Sequence, residues 1–167
     1  MVLPVVHLQN AHLCITISRA SGAILQVENR KSEVKLVQAE EHGLPPWRLF
    51  LFDLSTGAVQ EWQGWEEFTI MTSPLISGGE QANLLWQLGQ GLEMEATVKL
   101  PATSPNALLR VEVRNDSPMT IQQVEFPVLR GIGRLVESPA ENNLLLHPVA
   151  GGLLFVDPVD TFARWPV

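Results

Sequence analysis

Between Leu92 and Leu100 the chain alternates without a break. Leu92, Met94, Ala96, Val98 and Leu100 fall on one side, and Glu93, Glu95, Thr97 and Lys99 on the other. A period of two gathers apolar residues onto one face only in a pleated strand, so this stretch reads as a half-buried β-strand. Pro101 ends it and a polar loop over 102–106 follows. Leu109, Val111 and Val113 then alternate with Arg110, Glu112 and Arg114. Two such runs across a short loop predict an antiparallel hairpin, with acidic outer residues of one strand able to meet basic ones of the other.

The same rhythm extends through the chain. Leu13, Ile15 and Ile17 alternate with Cys14, Thr16 and Ser18, residues 19–22 supply a turn closed by Gly22, and residues 23–28 return as a second strand. Further strands are predicted at 34–38, 48–53, 59–62, 68–72, 84–88, 120–127, 143–147 and 153–156. Gly, Pro, Asn and Ser mark the loops between them, around 43–46, 55–57, 77–79, 115–118 and 149–152. Strands recurring about every ten residues are the rhythm of a sandwich or barrel. The nearest approach to a helical period, at 136–146, is short and uncapped. The fold expected is therefore all-β, an antiparallel two-sheet β-sandwich, with residues 1–167 as a single domain. The chain stops mid-pattern at Asp160-Thr-Phe-Ala-Arg-Trp-Pro-Val167, which reads as the N-terminal part of a larger protein.

Composition narrows the partners. Hydrophobic residues are 46% and charged residues 17%, enough apolar surface for a core without cross-links. A net charge of −7 with scattered basic residues disfavours nucleic acid and anionic membrane surfaces, which need clustered Lys and Arg. No apolar run approaches a membrane-spanning length. One cysteine, Cys14, permits neither an internal disulfide nor a multi-thiolate metal site, and its place among strand residues reads as a structural thiol.

No catalytic constellation stands out, and no cofactor or metal is implied. The acidic pairs Glu40-Glu41 and Glu66-Glu67 are adjacent, so on a strand they point to opposite faces and read as solvated surface. Asp157-Pro-Val-Asp160 reads as turn chemistry. The histidines His7, His12, His42 and His147 match no metal-ligand spacing. There is no Gly-x-Ser-x-Gly elbow, and Gly131-Ile-Gly133 has no helix pattern after it to bind phosphate.

Tryptophan is the one unusual feature: Trp47, Trp62, Trp65, Trp86 and Trp165, with no tyrosine at all. Trp47 and Trp86 sit inside apolar runs and read as core. Trp62-Gln-Gly-Trp65 is the best candidate for aromatic faces that meet a sugar ring, against the plainer reading that both indoles fill the gap between sheets.

Residues 109–133, Leu-Arg-Val-Glu-Val-Arg-Asn-Asp-Ser-Pro-Met-Thr-Ile-Gln-Gln-Val-Glu-Phe-Pro-Val-Leu-Arg-Gly-Ile-Gly, resemble a segment in the N-terminal β-sandwich of large bacterial glycoside hydrolases. In that segment a strand ending in Asn is followed by a polar turn and an Ile-x-x-Val-x-Phe-Pro strand. Residues 13–30 are similar to that domain's first hairpin, and 144–152 to its late strand and turn. The resemblance implies a galactose-mutarotase-like supersandwich, usually longer than this chain, ahead of a downstream (β/α)-barrel that carries the catalytic carboxylates. It implies a non-catalytic accessory domain that packs on the barrel or helps complete its substrate cleft. The alternatives are a stand-alone carbohydrate-binding module using Trp62 and Trp65, a mutarotase-type epimerase using His42 or His147 with Glu125, and a structural or oligomerisation domain.

Overall fold

A computed structural model describes residues 4–39 and 43–132, together with the backbone of two strands at 144–147 and 153–156. The strands in chain order are β1 (Val5–Gln9), β2 (Leu13–Ser18), β3 (Ile24–Asn29), β4 (Val34–Gln38), β5 (Arg48–Asp53), β6 (Ala58–Glu61) and β7 (Glu67–Pro74). After them come β8 (Gly79–Gly89), β9 (Leu92–Pro101), β10 (Leu108–Asn115), β11 (Thr120–Glu125), β12 (Leu144–His147) and β13 (Leu153–Val156). The described residues contain no helix. The fold is all-β and antiparallel throughout, as the alternation predicts.

Two four-stranded meanders, β1-β2-β3-β4 and β10-β9-β8-β7, and a three-stranded sheet, β11-β5-β6, build the sandwich, and β12 and β13 form a separate hairpin. The predicted hairpin at 92–114 forms with Val111 opposite Ala96, Val113 opposite Met94 and Arg114 opposite Glu93. The last of these is also an ion pair at 3.2 Å. The inward residues of β8 and β9 (Ala82, Leu84, Trp86, Leu88, Leu92, Met94, Ala96, Val98, Leu100) are all buried. They share one core cluster with Val6, Leu8, Ile15 and Ile17 of the first meander and Leu49 and Leu51 of β5. One face of each of the three sheets of the sandwich thus turns to a common interior, which is what a period of two requires.

Sheet edges are joined by specific bonds. Gln38 N–H donates to Gly131 O at 2.8 Å, and Val37 bridges to Ile132, so the chain beyond β11 closes on β4. Asn10 is 8% exposed and uses its whole amide. Its Nδ2 donates to Pro101 O and Ser104 O, and its Oδ1 accepts from the N–H groups of His12 and Leu13. The first hairpin is thereby tied to the loop after β9.

Differences from the sequence reading are local. β1 falls where no strand was expected, although Val6 and Leu8 alternate with His7 and Gln9 as a strand should. β6 begins and ends one residue earlier than predicted. β11 stops at Glu125, because Pro127 has no N–H to carry the ladder further. Residues 144–146, at the end of the weak helical stretch, belong to β12. The rest of that stretch, Trp165 and the turn at 149–152 lie outside the described residues.

Gly22 shows how closely the layers approach. Its φ is +75°, and a Cβ there would run into the Trp86 ring and sit 3.0 Å from Leu84 Cδ2. Gly57 has nearly the same φ, +70°, yet a Cβ on it would meet nothing within 4 Å. Both Gly22→Ala and Gly57→Ala incur the left-handed strain, but only the first overpacks the core. Urea unfolding should find Gly22→Ala less stable than Gly57→Ala by roughly 1–3 kcal/mol; equal losses would mean the layers part easily at this point.

Candidate functional site

The chain crosses from one sheet to another just where the tryptophans cluster. β6 ends at Glu61, and Trp62 N–H still donates to Leu49 O at 2.8 Å, one bond beyond the strand. Gly64, at φ +80°, turns the chain, and Glu66 N–H then donates to Gln87 O on β8. Opposite this crossover lies the loop that enters β5. Pro45 and Pro46 have no N–H of their own, but their carbonyls accept from Arg130 Nη1 at 2.9 Å and Val128 N–H at 2.8 Å. Trp47 follows, 2% exposed, edge-on to Trp86 with ring centroids 6.0 Å apart.

Between crossover and loop is a cleft of about 330 Å³, walled by Pro45, Trp47, Arg48, Glu61, Trp62, Trp65 and Arg130. That volume is at the low end for small-molecule sites. Trp62 and Trp65 are half-buried, packed on the core yet lining the cleft. The two sequence readings for these residues are therefore not exclusive. The Nε1 atoms of Trp47 and Trp62 are buried and have no hydrogen-bond partner. By contrast, Trp86 Nε1 donates to Ser21 O at 2.9 Å. A buried donor left unpaired costs about 1–3 kcal/mol, so two at one cleft call for an explanation.

Arg48 is fully committed. Its Nε and Nη2 reach both oxygens of Glu61 at 2.8 and 3.1 Å, its Nη1 reaches Glu125 at 3.1 Å, and its guanidinium lies 4.9 Å from the Phe50 ring centroid. The bond with Glu61 raises the Arg48 pKa further. In turn the Arg48 hydrogen bond holds the Glu61 carboxyl below the ordinary carboxylate range. A general acid for glycoside cleavage needs the opposite shift, so Glu61 is a structural anion here.

The remaining sequence candidates lie elsewhere. Glu66 and Glu67 are exposed and do not line the cleft. His7 Nδ1 is 3.1 Å from Thr16 Oγ1. Glu125, the base imagined for an epimerase, is engaged by Arg48. Glu40, Glu41, His42, Asp157, Asp160 and the His147 side chain are outside the described residues, as is Gly133, while Gly131 serves the closure on β4. Burial, and then the charge of Glu28 across the strand pair, pushes the Cys14 thiol above its usual pKa, which suits an unreactive thiol. Among the described residues no three His, Cys, Asp or Glu side chains gather as metal ligands. A larger hollow of about 450 Å³ runs along β1 beside Thr72, Ser73, Pro74 and Glu80. One of its acceptors is already used, since Glu80 takes the Gln9 N–H at 2.8 Å.

Sequence reasoning placed Trp62 and Trp65 but not Trp47, Arg48, Glu61 or Arg130 beside them. The Pro-Pro-Trp-Arg run at 45–48 is a visible signal for a stiff strand entry. Nothing local to Arg130 announces that residues 126–130 fold back over that run.

Compared with protein-family models, curated proteins and solved structures, the chain matches none.

The Arg48–Glu61 bond makes a pH prediction. The Glu61 carboxyl titrates lower in the folded chain than in the unfolded one. Its contribution is therefore complete above the unfolded carboxylate range and is lost as pH falls through the folded value. Urea unfolding at a series of pH values should show wild type more stable than Glu61→Gln at neutral pH, with the gap closing in the acid range. A gap that stays constant with pH would contradict the assignment.

Proposed function

We propose that this chain is a non-catalytic accessory β-sandwich of a glycoside hydrolase, and that it contacts carbohydrate through the cleft at Trp62 and Trp65. The observation that carries this reading is the cleft's composition: three indoles, two of them with buried N–H groups that lack acceptors, beside a paired Arg48. Sugar rings present apolar C–H faces for aromatic stacking and hydroxyl oxygens that accept from N–H donors. A sugar ring thus suits the faces of Trp62 and Trp65 that line the cleft. The resemblance of residues 13–30, 109–133 and 144–152 to the N-terminal β-sandwich of large bacterial glycoside hydrolases points to the same class, in which catalytic carboxylates belong to a barrel downstream. Among the described cleft residues Glu61 is the one carboxylate, and it is held ionised by Arg48. This favours binding over bond cleavage.

Glycan-array screening followed by calorimetry tests the proposal. Wild-type protein should bind at least one oligosaccharide class, and Trp62→Ala and Trp65→Ala should each weaken that binding about tenfold, the loss of one aromatic contact. Trp62→Phe should bind better than Trp62→Ala by keeping a ring face. Absence of binding to every glycan, or binding untouched by both alanine variants, would overturn the proposal. Hydrolysis of aryl glycosides by the purified chain would overturn its non-catalytic part.

A further inference from the structure

The unspent groups around the cleft share one property. Trp47 Nε1 and Trp62 Nε1 are donors without acceptors. Arg130 is half-buried, and of its five N–H groups one is used, by Pro45 O at 2.9 Å. Among the described residues no carboxylate pairs with Arg130, whereas Arg48 in the same wall is already matched by Glu61 and Glu125. Glu61 in turn gives both its oxygens to Arg48. Among the described residues the cleft thus holds open N–H donors and, in Arg130, a cation with no carboxylate of its own. Arg48 with Glu61 and Glu125 sums to −1, so what Arg130 offers an anion is an open hydrogen-bonding fork and not a net positive field.

A neutral sugar does not fit that fork well, because each hydroxyl brings a donor along with its acceptor lone pairs. A carboxylate brings acceptors only, and its two oxygens match the planar fork of an arginine. We infer that the cleft prefers a hexuronic acid residue, with its carboxylate on Arg130 and its ring against Trp62 or Trp65. This rests on the carbohydrate reading above and specifies its ligand class. The preference is local: the protein's overall negative charge repels polyanions at long range, so the selectivity has to come from the cleft itself.

Calorimetry on the full chain with trigalacturonate, its methyl ester and a neutral galactose trisaccharide distinguishes the two levels. Trigalacturonate should bind at least about tenfold tighter than its methyl ester, the size expected for a charge-assisted pair. Arg130→Gln should erase that ratio, bringing trigalacturonate down to the affinity of its ester. Arg130→Lys, which keeps the charge without the fork, should retain part of the ratio, and it serves as the second variant if the glutamine protein folds poorly. Equal affinity for acid and ester, or a preference that survives Arg130→Gln, would overturn the uronate assignment while leaving neutral-sugar binding at Trp62 and Trp65 intact. A sulfated galactose trisaccharide that binds tighter than the uronate would overturn the choice of a carboxylate. Failure of all four saccharides to bind would overturn this inference, whereas the reading beneath it falls only with absence of binding to every glycan on the array.

Discussion

The indole of Trp86 is where the sheets meet. Its side chain is fully buried in β8, its ring stacks on Phe68 at 5.1 Å, and its N–H donates to Ser21 O in the turn between β2 and β3. Gly22, next in that turn, has no side chain because the Trp86 ring occupies the space. On its other side Trp86 meets Trp47, which introduces β5. One aromatic residue thus touches all three sheets and satisfies its own polar atom in doing so. The close approach requires a glycine, a left-handed turn and a buried indole together, and loss of any one leaves a clash or a void.

The cleft depends on that contact. Trp47 forms part of its wall and is held edge-on by Trp86, so its position is fixed by packing from behind and not by a hydrogen bond of its own. The proline carbonyls at 45 and 46, bonded to Arg130 and Val128, fix the rim beside Trp47. The result is a rigid wall with polar atoms left unsatisfied, a cost to stability of the kind that binding sites carry when a ligand completes the hydrogen bonding. Trp86 spends its N–H on Ser21 O, whereas the buried Nε1 atoms of Trp47 and Trp62 have no hydrogen-bond partner.

How much of this was legible in the sequence follows from the range of the forces involved. Period-two alternation is local and strong, so the strands from 13 to 18, 34 to 38, 48 to 53 and 92 to 100 could be read directly, and with them the antiparallel all-β class. The strand at Val5–Gln9 has only two inward residues, Val6 and Leu8, too few to stand out beside Pro4. Trp62 and Trp65 were legible as a candidate pair because they lie close in sequence. Their partners were not, since Trp47 and Arg130 arrive through a loop and a return segment more than eighty residues apart. Which indole N–H groups go unpaired is likewise a tertiary property: Ser21 O reaches Trp86, and no acceptor reaches Trp47.

The most direct test of the account is the set of indole N–H signals in a proton–nitrogen correlation spectrum of the labelled protein, assigned by single Trp→Phe variants and followed during titration with the oligosaccharide that binds best. The proposal predicts that the Trp47 and Trp62 signals, in the cleft wall, move together with ligand, while the Trp86 signal, already bonded to Ser21 O, stays in place and exchanges slowly with solvent. Motionless Trp47 and Trp62 signals under saturating ligand would show that the cleft is not a binding site, and the functional account would fall with it.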